Sequence, residues 1–343
     1  MIWLPSPLGD AVMATPALRA FRSLYAEAEI TFLASGFTKQ ILAGSPFCDR
    51  WIEPVKPFTE LIKTLRGESF DAAILLKNSF GSALTIRLAG IGQRIGYARD
   101  GRGILLTDKI APARANGRFK PAPMVDYYLT IAEYLGANGA SRQPELGVED
   151  KDRDAVRKAL PFLNTLSGPL VILVPGGAFG PSKMWPVERF AKLADTLKER
   201  YNATSIISIA PVQKEIEIAE AICSMAASRP VHLGQTPLSG GALKGLIDRA
   251  DLVITNDTGP RHIAIGLNKN VISLFGPNNP QWTQTGHARE VQIVGRASCV
   301  PCDKPVCKAK QHFCMESITV DEVLQAAGSF LCPVPNRIRP GEA

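Results

Sequence analysis

Residues 170–186 read LVILVPGGAFGPSKMWP, and they decide the fold. LVILV is an unbroken apolar run rich in β-branched residues, the mark of a strand buried on both faces. Pro-Gly-Gly ends it. From Val187 to Tyr201 the period changes, with Phe190, Leu193 and Leu197 at helical spacing. Buried strand, glycine turn and amphipathic helix together make a βα unit. Downstream the unit repeats: strand Ser205–Ala210 with helix Lys214–Met225, then strand Leu252–Thr255 with helix Pro260–Leu267. Val271–Phe275 is the last clear strand. Val320–Leu331 is the final helix candidate, and the tail NRIRPGEA reads as disordered.

The same rhythm opens the chain. Ile2–Leu4 reads as a strand and Ala11 to about Tyr25 as a helix. Ile30–Leu33 and Asp71–Leu76 are further strands, with helical Phe58–Arg66 between them. The polar loop KNSFGS follows Leu76 and leads into a helix up to Gly90. Alternating strands and helices specify an α/β protein whose parallel sheets are covered on both faces. The charged, turn-rich stretch Ser141–Arg157 suits a linker. The expected organisation is two doubly wound, Rossmann-like domains, 1–150 and 151–343, facing a cleft. The two halves show no sequence repeat.

Composition agrees. At roughly 100–200 residues per domain, 343 residues suit about two domains. Hydrophobic residues make up 45% and charged residues 21%, ordinary for a globular chain. No apolar run reaches the roughly 18–20 residues of a membrane-spanning helix. MIWLPSPLGD lacks a basic region followed by an apolar stretch, so no secretory signal is expected. Seven cysteines without an export signal argue for a reducing, cytoplasmic setting rather than a disulfide framework.

The net charge is +7, and nine basic residues cluster in one stretch: Lys77, Arg87, Arg94, Arg99, Arg102, Lys109, Arg114, Arg118 and Lys120. Only Asp100 and Asp108 oppose them. The excess suits an anionic partner, whether a phosphorylated substrate, an acidic membrane surface or nucleic acid. It also suits a plain solvated face.

In doubly wound sheets, ligands sit at the carboxyl ends of the strands, so the loops there are the candidates. Gly9 and Asp10 follow the first strand. Asp10 reads either as a helix N-cap or as a general base, and the local pattern leaves both open. In 175–186, Gly176 and Gly177 let backbone N–H groups approach an anion, and Lys183 adds a charge. The Gly-Lys-Ser/Thr of a Walker A loop is absent. In Asn256-Asp257-Thr258-Gly259-Pro260-Arg261-His262, the helix start at Thr258 and Gly259 makes an anion site. Asp257 can bind sugar hydroxyls or cap the helix. His262, one turn in, would on its own read as a buried histidine. Two anion-binding turns and one acidic turn describe a nucleoside-diphosphate ligand. Separately, Cys299, Cys302, Cys307 and Cys314 are numerous enough to close a structural zinc site, though the spacing equally suits free or redox-labile thiols. Cys48, Cys223 and Cys332 read as small core residues.

These motifs resemble the lipopolysaccharide heptosyltransferases of glycosyltransferase family 9. The opening LGDAVMATPALRAFRSLYAEAEI (8–30) is similar to the family's first loop and helix. LKNSFGSALTIRLAGIGQRIGY (76–97) resembles the branch that adds the second core heptose. PGGAFGPSKMWP (175–186) and TNDTGPRHIAIGLNKNVISLFGPNNP (255–280) resemble the two donor signatures, in order. The resemblance implies a GT-B fold and an inverting, metal-independent transfer that needs no cofactor. It implies ADP-L-glycero-D-manno-heptose as donor, and as acceptor the inner core on lipid A at the cytoplasmic face of the inner membrane. Asp10 corresponds to the family's base and Lys183 to its phosphate-binding lysine. Asp257, Thr258, Gly259 and His262 correspond to its donor contacts, and Glu215 to a glutamate near the adenosine ribose. The basic stretch, with Lys77, Asn78, Ser79, Arg94, Arg99 and Arg118, would then meet the acidic acceptor.

Two departures stand out. No basic residue precedes the first strand, and Ile209-Ala210-Pro211-Val212 lacks a glycine often found there. Other readings are a family 9 enzyme with a different heptose donor or acceptor, a non-catalytic nucleotide-sugar-binding module, and a zinc-stabilised nucleic-acid-binding protein. The last lacks a helix-turn-helix, an aromatic RNA-binding motif or a paired zinc finger.

Overall fold

The computed structural model describes residues 1–115, 118–120, 122–309 and 312–331. Cys332 and the tail NRIRPGEA lie outside the described residues. The chain divides into two compact units. The first is Met1–Glu149 together with Pro280–His287, and the second is Asp150–Asn279 with the chain from Ala288.

The first unit begins with β1 (Ile2–Trp3), α1 (Leu8–Met13), α2 (Thr15–Leu24), β2 (Thr31–Leu33) and α3 (Gly36–Leu42). It continues with β3 (Arg50–Ile52), α4 (Phe58–Gly67), β4 (Ala72–Leu75), α5 (Phe80–Leu88), β5 (Gln93–Tyr97) and β6 (Asp108–Ile110). A short antiparallel ribbon, β7 (Arg114–Ala115) and β8 (Arg118–Phe119), precedes α6 (Met124–Tyr134). The sheet order is β3-β2-β1-β4-β5-β6, parallel throughout. Alternation along each strand builds two cores. Ile2, Phe32 and Ile74 pack towards α1, α2 and α6, while Trp3, Leu33 and Leu75 pack towards α4 and α5.

The second unit holds α7 (Asp150–Ala159), β9 (Leu170–Val174), α8 (Val187–Tyr201), β10 (Thr204–Ile207), α9 (Gln213–Met225) and β11 (Val231–His232). Then come α10 (Gly240–Arg249), β12 (Leu252–Asn256), α11 (Gly259–Gly266), β13 (Asn270–Phe275), β14 (Glu290–Val294), α12 (Phe313–Glu316) and α13 (Val320–Gly328). Its order, β11-β10-β9-β12-β13-β14, repeats that of the first sheet, again all parallel. Val171, Leu173, Phe190, Leu193 and Leu197 are buried together in its core, as the opening motif requires.

The structure differs from the sequence reading in several places. The first long helix is two, because Pro16 sits at the start of α2 and cannot continue a helix from α1. Part of the expected linker is helix α7. α10 escapes the pattern because it begins Gly240-Gly241. A Cβ at Gly241 would collide with the Asp152 carboxylate of α7, which pairs with buried Lys244 at 3.0 Å. β13 is not the last strand, since β14 lies beside it. No helix among the described residues is long and apolar enough to cross a membrane.

Candidate active site

Each sheet reverses its winding once, between β1 and β4 in the first unit and between β9 and β12 in the second. Loops diverge at such a point and leave a crevice at the strands' carboxyl ends. The sequence-predicted residues collect at these two places.

In the second unit, Asn256 ends β12 and is fully buried. Its Nδ2 donates to Pro175 O at 2.7 Å, tying that strand to the glycine turn after β9. Its Oδ1 has no hydrogen-bond partner. Gly176 is needed here, because a Cβ would run into the Glu215 carboxylate. Glu215, in the first turn of α9, accepts from Gly177 N (3.3 Å) and Ala210 N (2.8 Å). Glu215 thus joins the loops after β9 and β10. Thr258 is the N-cap of α11, and its side chain makes no capping bond.

Lys183 lies in a short 3-10 turn, Pro181–Lys183, and is more than nine-tenths buried. Its Nζ donates to Asp257 O (2.8 Å) and Asp257 Oδ2 (3.2 Å), and stands 4.7 Å over the Phe179 ring. On the other side Arg261 Nη1 reaches Asp257 Oδ1 at 3.1 Å. Arg261 is fully buried. It is held by Glu290 on β14 at 2.7 and 3.2 Å and by Ser273 Oγ at 3.0 Å. Burial alone would raise the Asp257 carboxyl. The charges of Lys183 and Arg261 outweigh it and hold the group well below the usual carboxylate range. Glu290 behaves likewise: burial raises it, and Arg261 with its hydrogen bonds brings it below its ordinary value.

His262 is buried, and its Nε2 stands 3.7 Å from Asp257 Oδ1, too far for a hydrogen bond. Burial lowers its pKa more than Asp257 raises it, so the ring is neutral. Nδ1 has no hydrogen-bond partner. The cluster therefore holds two cations, two carboxylates and a neutral imidazole. It also keeps two buried polar atoms, Asn256 Oδ1 and His262 Nδ1, unsatisfied. Such atoms cost free energy unless water or a ligand meets them.

Trp185 fixes the far end of the Lys183 loop. It packs edge-on to Phe190 at 4.9 Å and donates from Nε1 to Ile318 O at 2.9 Å. The cysteine segment touches the near end: Ser182 Oγ donates to Lys304 O (2.6 Å) and Ser182 N to Pro305 O (3.2 Å). Cys314 is buried, with its thiol pushed up by burial first and by Cys299, Cys307 and Cys302 next. Among the described residues, no three His, Cys, Asp or Glu are placed to hold a metal ion. A structural zinc at these four cysteines is not confirmed. Cys48 and Cys223 are half-buried beside the cores rather than within them.

In the first unit, Asp10 is not the helix cap. α1 starts at Leu8 with Pro7 as N-cap, and Asp10 is its third residue, half-buried. Its charge reaches Tyr128 of α6, whose hydroxyl is pushed up first by burial and then by Asp10. The Lys77–Ser79 loop follows β4. Lys77 Nζ stands 5.5 Å from the Trp3 ring centroid, and Ser79 Oγ caps α5 by accepting from Ser82 N at 3.0 Å. Asn78 Oδ1 accepts from Arg102 Nη2 (2.8 Å) and Tyr127 Oη (3.1 Å). Arg102 is fully buried and also donates to Tyr97 O and Lys77 O.

The basic stretch is therefore divided. Arg102 is an internal tether. Arg94 lies at the amino half of β5, and its guanidinium donates to Ile91 O, Gly92 O and Leu105 O at 2.7–2.8 Å. It stands away from the carboxyl ends where Asp10 and Lys77 collect. Arg99 follows β5 and pairs with Asp100 at 2.9 Å. Arg118 lies in β8, and its side chain is outside the description. A cavity of about 430 Å³ opens at the amino ends of the strands, bounded by Thr31, Arg50, Glu68 and Asp71, on the wrong edge for a ligand of this fold.

Sequence reasoning missed Asn256, Arg261 and Glu290 as parts of the site. Arg261 was visible in the third motif. Glu290 was hidden on an edge strand that the apolar pattern did not mark.

Residues 58–312 match the family model described as "Glycosyltransferase family 9 (heptosyltransferase)". The chain is 31% identical over 303 residues to lipooligosaccharide heptosyltransferase 2 of Haemophilus influenzae, covering 81% of this chain and 83% of the relative. It is 28% identical over 309 residues to lipopolysaccharide heptosyltransferase 2 of Salmonella typhimurium, covering 84% and 86%. Among solved structures, ADP-heptose LPS heptosyltransferase II of E. coli superposes with a TM-score of 0.77 at 24% identity, over 96% of this chain and 98% of that one. The fold is that of the GT-B glycosyltransferases, two Rossmann-like domains in one chain. The resemblance carried by the four motifs is borne out: the chain belongs to glycosyltransferase family 9, the heptosyltransferases.

Proposed function

We propose that this enzyme moves L-glycero-D-manno-heptose from ADP-heptose to the inner core of lipopolysaccharide, with inversion at the anomeric carbon. The relatives named heptosyltransferase 2 favour the second core heptose as the product. The observation that carries the reading is the buried cluster around Lys183 and Asp257, which sets two cations at the start of α11 and keeps two buried polar atoms unsatisfied.

The second unit binds the donor. Lys183 and the N-terminus of α11 at Thr258–Gly259 take up the charge that gathers on the departing diphosphate. Asp257 holds Lys183 in position, and Arg261 balances Asp257 from behind. His262 Nδ1 and Asn256 Oδ1 accept hydrogen bonds from donor hydroxyls. Glu215 keeps the glycine turn open for the nucleotide. The first unit, Met1–Glu149 with Pro280–His287, binds the acceptor. Asp10 removes the proton from the attacking hydroxyl as oxygen bonds to the anomeric carbon and ADP leaves from the opposite side. One displacement with one base inverts the configuration. Zinc and other cofactors have no part in this reading. An acceptor anchored in lipid places the work at the cytoplasmic face of the inner membrane, where Lys77, Arg99 and Lys120 meet acidic groups.

The test is transfer from ADP-heptose to cores truncated before and after the first heptose, with the anomeric configuration of the product read by NMR. Transfer only to the core already carrying one heptose, with inversion, is expected. Transfer with retention, or none from ADP-heptose, overturns the reading.

A further inference from the structure

A second cavity in the first unit, about 290 Å³, lies apart from the residues assigned to proton transfer and donor binding. It opens where β5 and β6 end, the same edge of the sheet that carries Asp10 and the Lys77–Ser79 loop. Its wall is aromatic. Tyr97 and Tyr127 stack with centroids 3.8 Å apart and planes at 15°, and Trp282 joins them. Trp282 comes from Pro280–His287, the segment that leaves the second half of the chain to pack with the first unit. His287 seats that segment, with Nδ1 3.2 Å from Gln143 Nε2.

The rim is cationic. Arg99 and Lys120 line it, and its single lining carboxylate, Asp126, is bound in bidentate fashion by Arg142 at 2.5 and 2.9 Å. Small-molecule sites are mainly apolar, with a few convergent polar groups, and span roughly 300–1,000 Å³. This one stands at the small end, suited to a single ring rather than to a nucleotide sugar. Aromatic faces take the apolar face of a sugar ring, and Arg with Lys takes a phosphate or carboxylate.

The cavity is also wired to the reaction edge. Tyr127 Oη donates to Asn78 Oδ1, the atom that buried Arg102 holds. Parallel strands lie about 4.7–4.9 Å apart, so β5 and β6 stand roughly 10–15 Å along the edge from β1 and Asp10. That is too far for the attacked ring and right for a neighbouring one.

We propose that this cavity is an acceptor subsite. It receives a sugar ring bearing an anionic group, a near neighbour of the ring whose hydroxyl is attacked, with Trp282 as its specificity-determining residue. The proposal rests on the acceptor reading given above.

The experiment measures binding of deacylated inner-core oligosaccharide by calorimetry, without donor, and acceptor and donor KM in the transfer assay. Three oligosaccharides are compared: native, phosphatase-treated and carboxyl-amidated. Trp282→Ala should weaken binding and raise acceptor KM about tenfold, leaving donor KM and kcat unchanged, and Trp282→Phe should recover most of the loss. Lys120→Met should weaken binding of the native oligosaccharide and lose its effect on whichever treated form lacks the anion, which identifies the group. Unchanged binding in Trp282→Ala, or an equal loss for the donor, overturns the subsite. Should Trp282→Ala not fold, exposed Lys120 decides alone. Wild-type protein that binds the oligosaccharide but transfers no heptose sinks the heptose reading and leaves the subsite to the binding data.

Discussion

The two units share one strand order, and their crevices could hardly be more different. Between β9 and β12 the second unit buries Lys183, Asp257, Arg261, His262 and Glu290 in one connected network. Between β1 and β4 the first unit offers a half-buried Asp10 and a loop tethered by one buried arginine. A dense, dry network holds fixed charges for a ligand of fixed shape, since buried charges keep their geometry only when paired. On the proposed reading the same topology separates binding from proton transfer, and substitutions at the two places should fail in different ways.

The largest effect on turnover is expected at Asp10. Pro7, not Asp10, is the N-cap of α1, so Asp10→Asn should leave the melting temperature close to wild type. ADP affinity should hold. Turnover should fall by about 10²–10⁴, the usual worth of a positioned base. Steady-state kinetics beside a thermal melt checks this, and near-normal turnover would remove Asp10 from the reaction.

Asp257 should fail in the opposite way. Removing one partner from a buried ion pair costs about 3–5 kcal/mol, so Asp257→Asn should unfold at markedly lower urea. The pH dependence gives a sharper test. Asp257 and Glu290 have folded-state pKa values below their unfolded ones. Their contribution is therefore in place at neutral pH and is lost as the pH falls below the unfolded carboxyl values near 4. Wild-type stability between roughly pH 6 and 3 should drop more steeply than that of Asp257→Asn. Parallel curves would mean the network does not store stability, and the contrast between the two crevices would lose its physical basis.

Much of this was legible in the sequence, for definable reasons. LVILV and the Phe190, Leu193, Leu197 spacing place β9 and α8, because burial imposes periods that composition displays. Asp257 stands directly after an apolar run, and Asp10 and Lys183 stand farther along the segments that leave β1 and β9. The rest depends on partners distant in the chain. Arg261 meets Glu290 only because β14 lies beside β13, with Val271 opposite Glu290. The local pattern leaves Asp10 open between a cap and a base, whereas the helix begins two residues before it, at Leu8. α10 is hidden by glycines whose reason, Asp152 on α7, is visible only in three dimensions. The excursion of Pro280–His287 into the first unit leaves no trace in local pattern.

Lys183 sharpens the donor side. Lys183→Ala removes a charged donor and leaves Asp257 with Arg261 and His262. Donor affinity and turnover should fall together, by roughly 2–4 kcal/mol in transition-state stabilisation. Lys183→Arg should recover little, because a planar guanidinium does not fit a buried turn that holds an ammonium between two Asp257 oxygens. ADP-heptose kinetics like wild type in a folded variant would detach Lys183 from the donor.

The smallest effects belong to the basic stretch, and they discriminate between two arginines five positions apart. Arg94 spends its guanidinium on three carbonyls at the amino half of β5. Arg94→Gln should cost about 1–3 kcal/mol of stability through those bonds and leave the acceptor KM unchanged. Arg99 lies past the carboxyl end of the same strand, on the rim of the aromatic cavity. Its pair with Asp100 is half-exposed and such pairs are worth about 0.2–1 kcal/mol, so Arg99→Gln should lose little stability from that pair. Its acceptor KM should rise two- to fivefold at low salt, an effect of the same modest size, and the rise should fade as the Debye length shrinks towards about 3 Å at 1 M salt. The donor KM should not move. Equal acceptor effects from both substitutions would mean that charge anywhere on this strand acts through the general field of the unit. A salt-sensitive effect from Arg99 alone places the acceptor at the carboxyl edge that also carries Asp10.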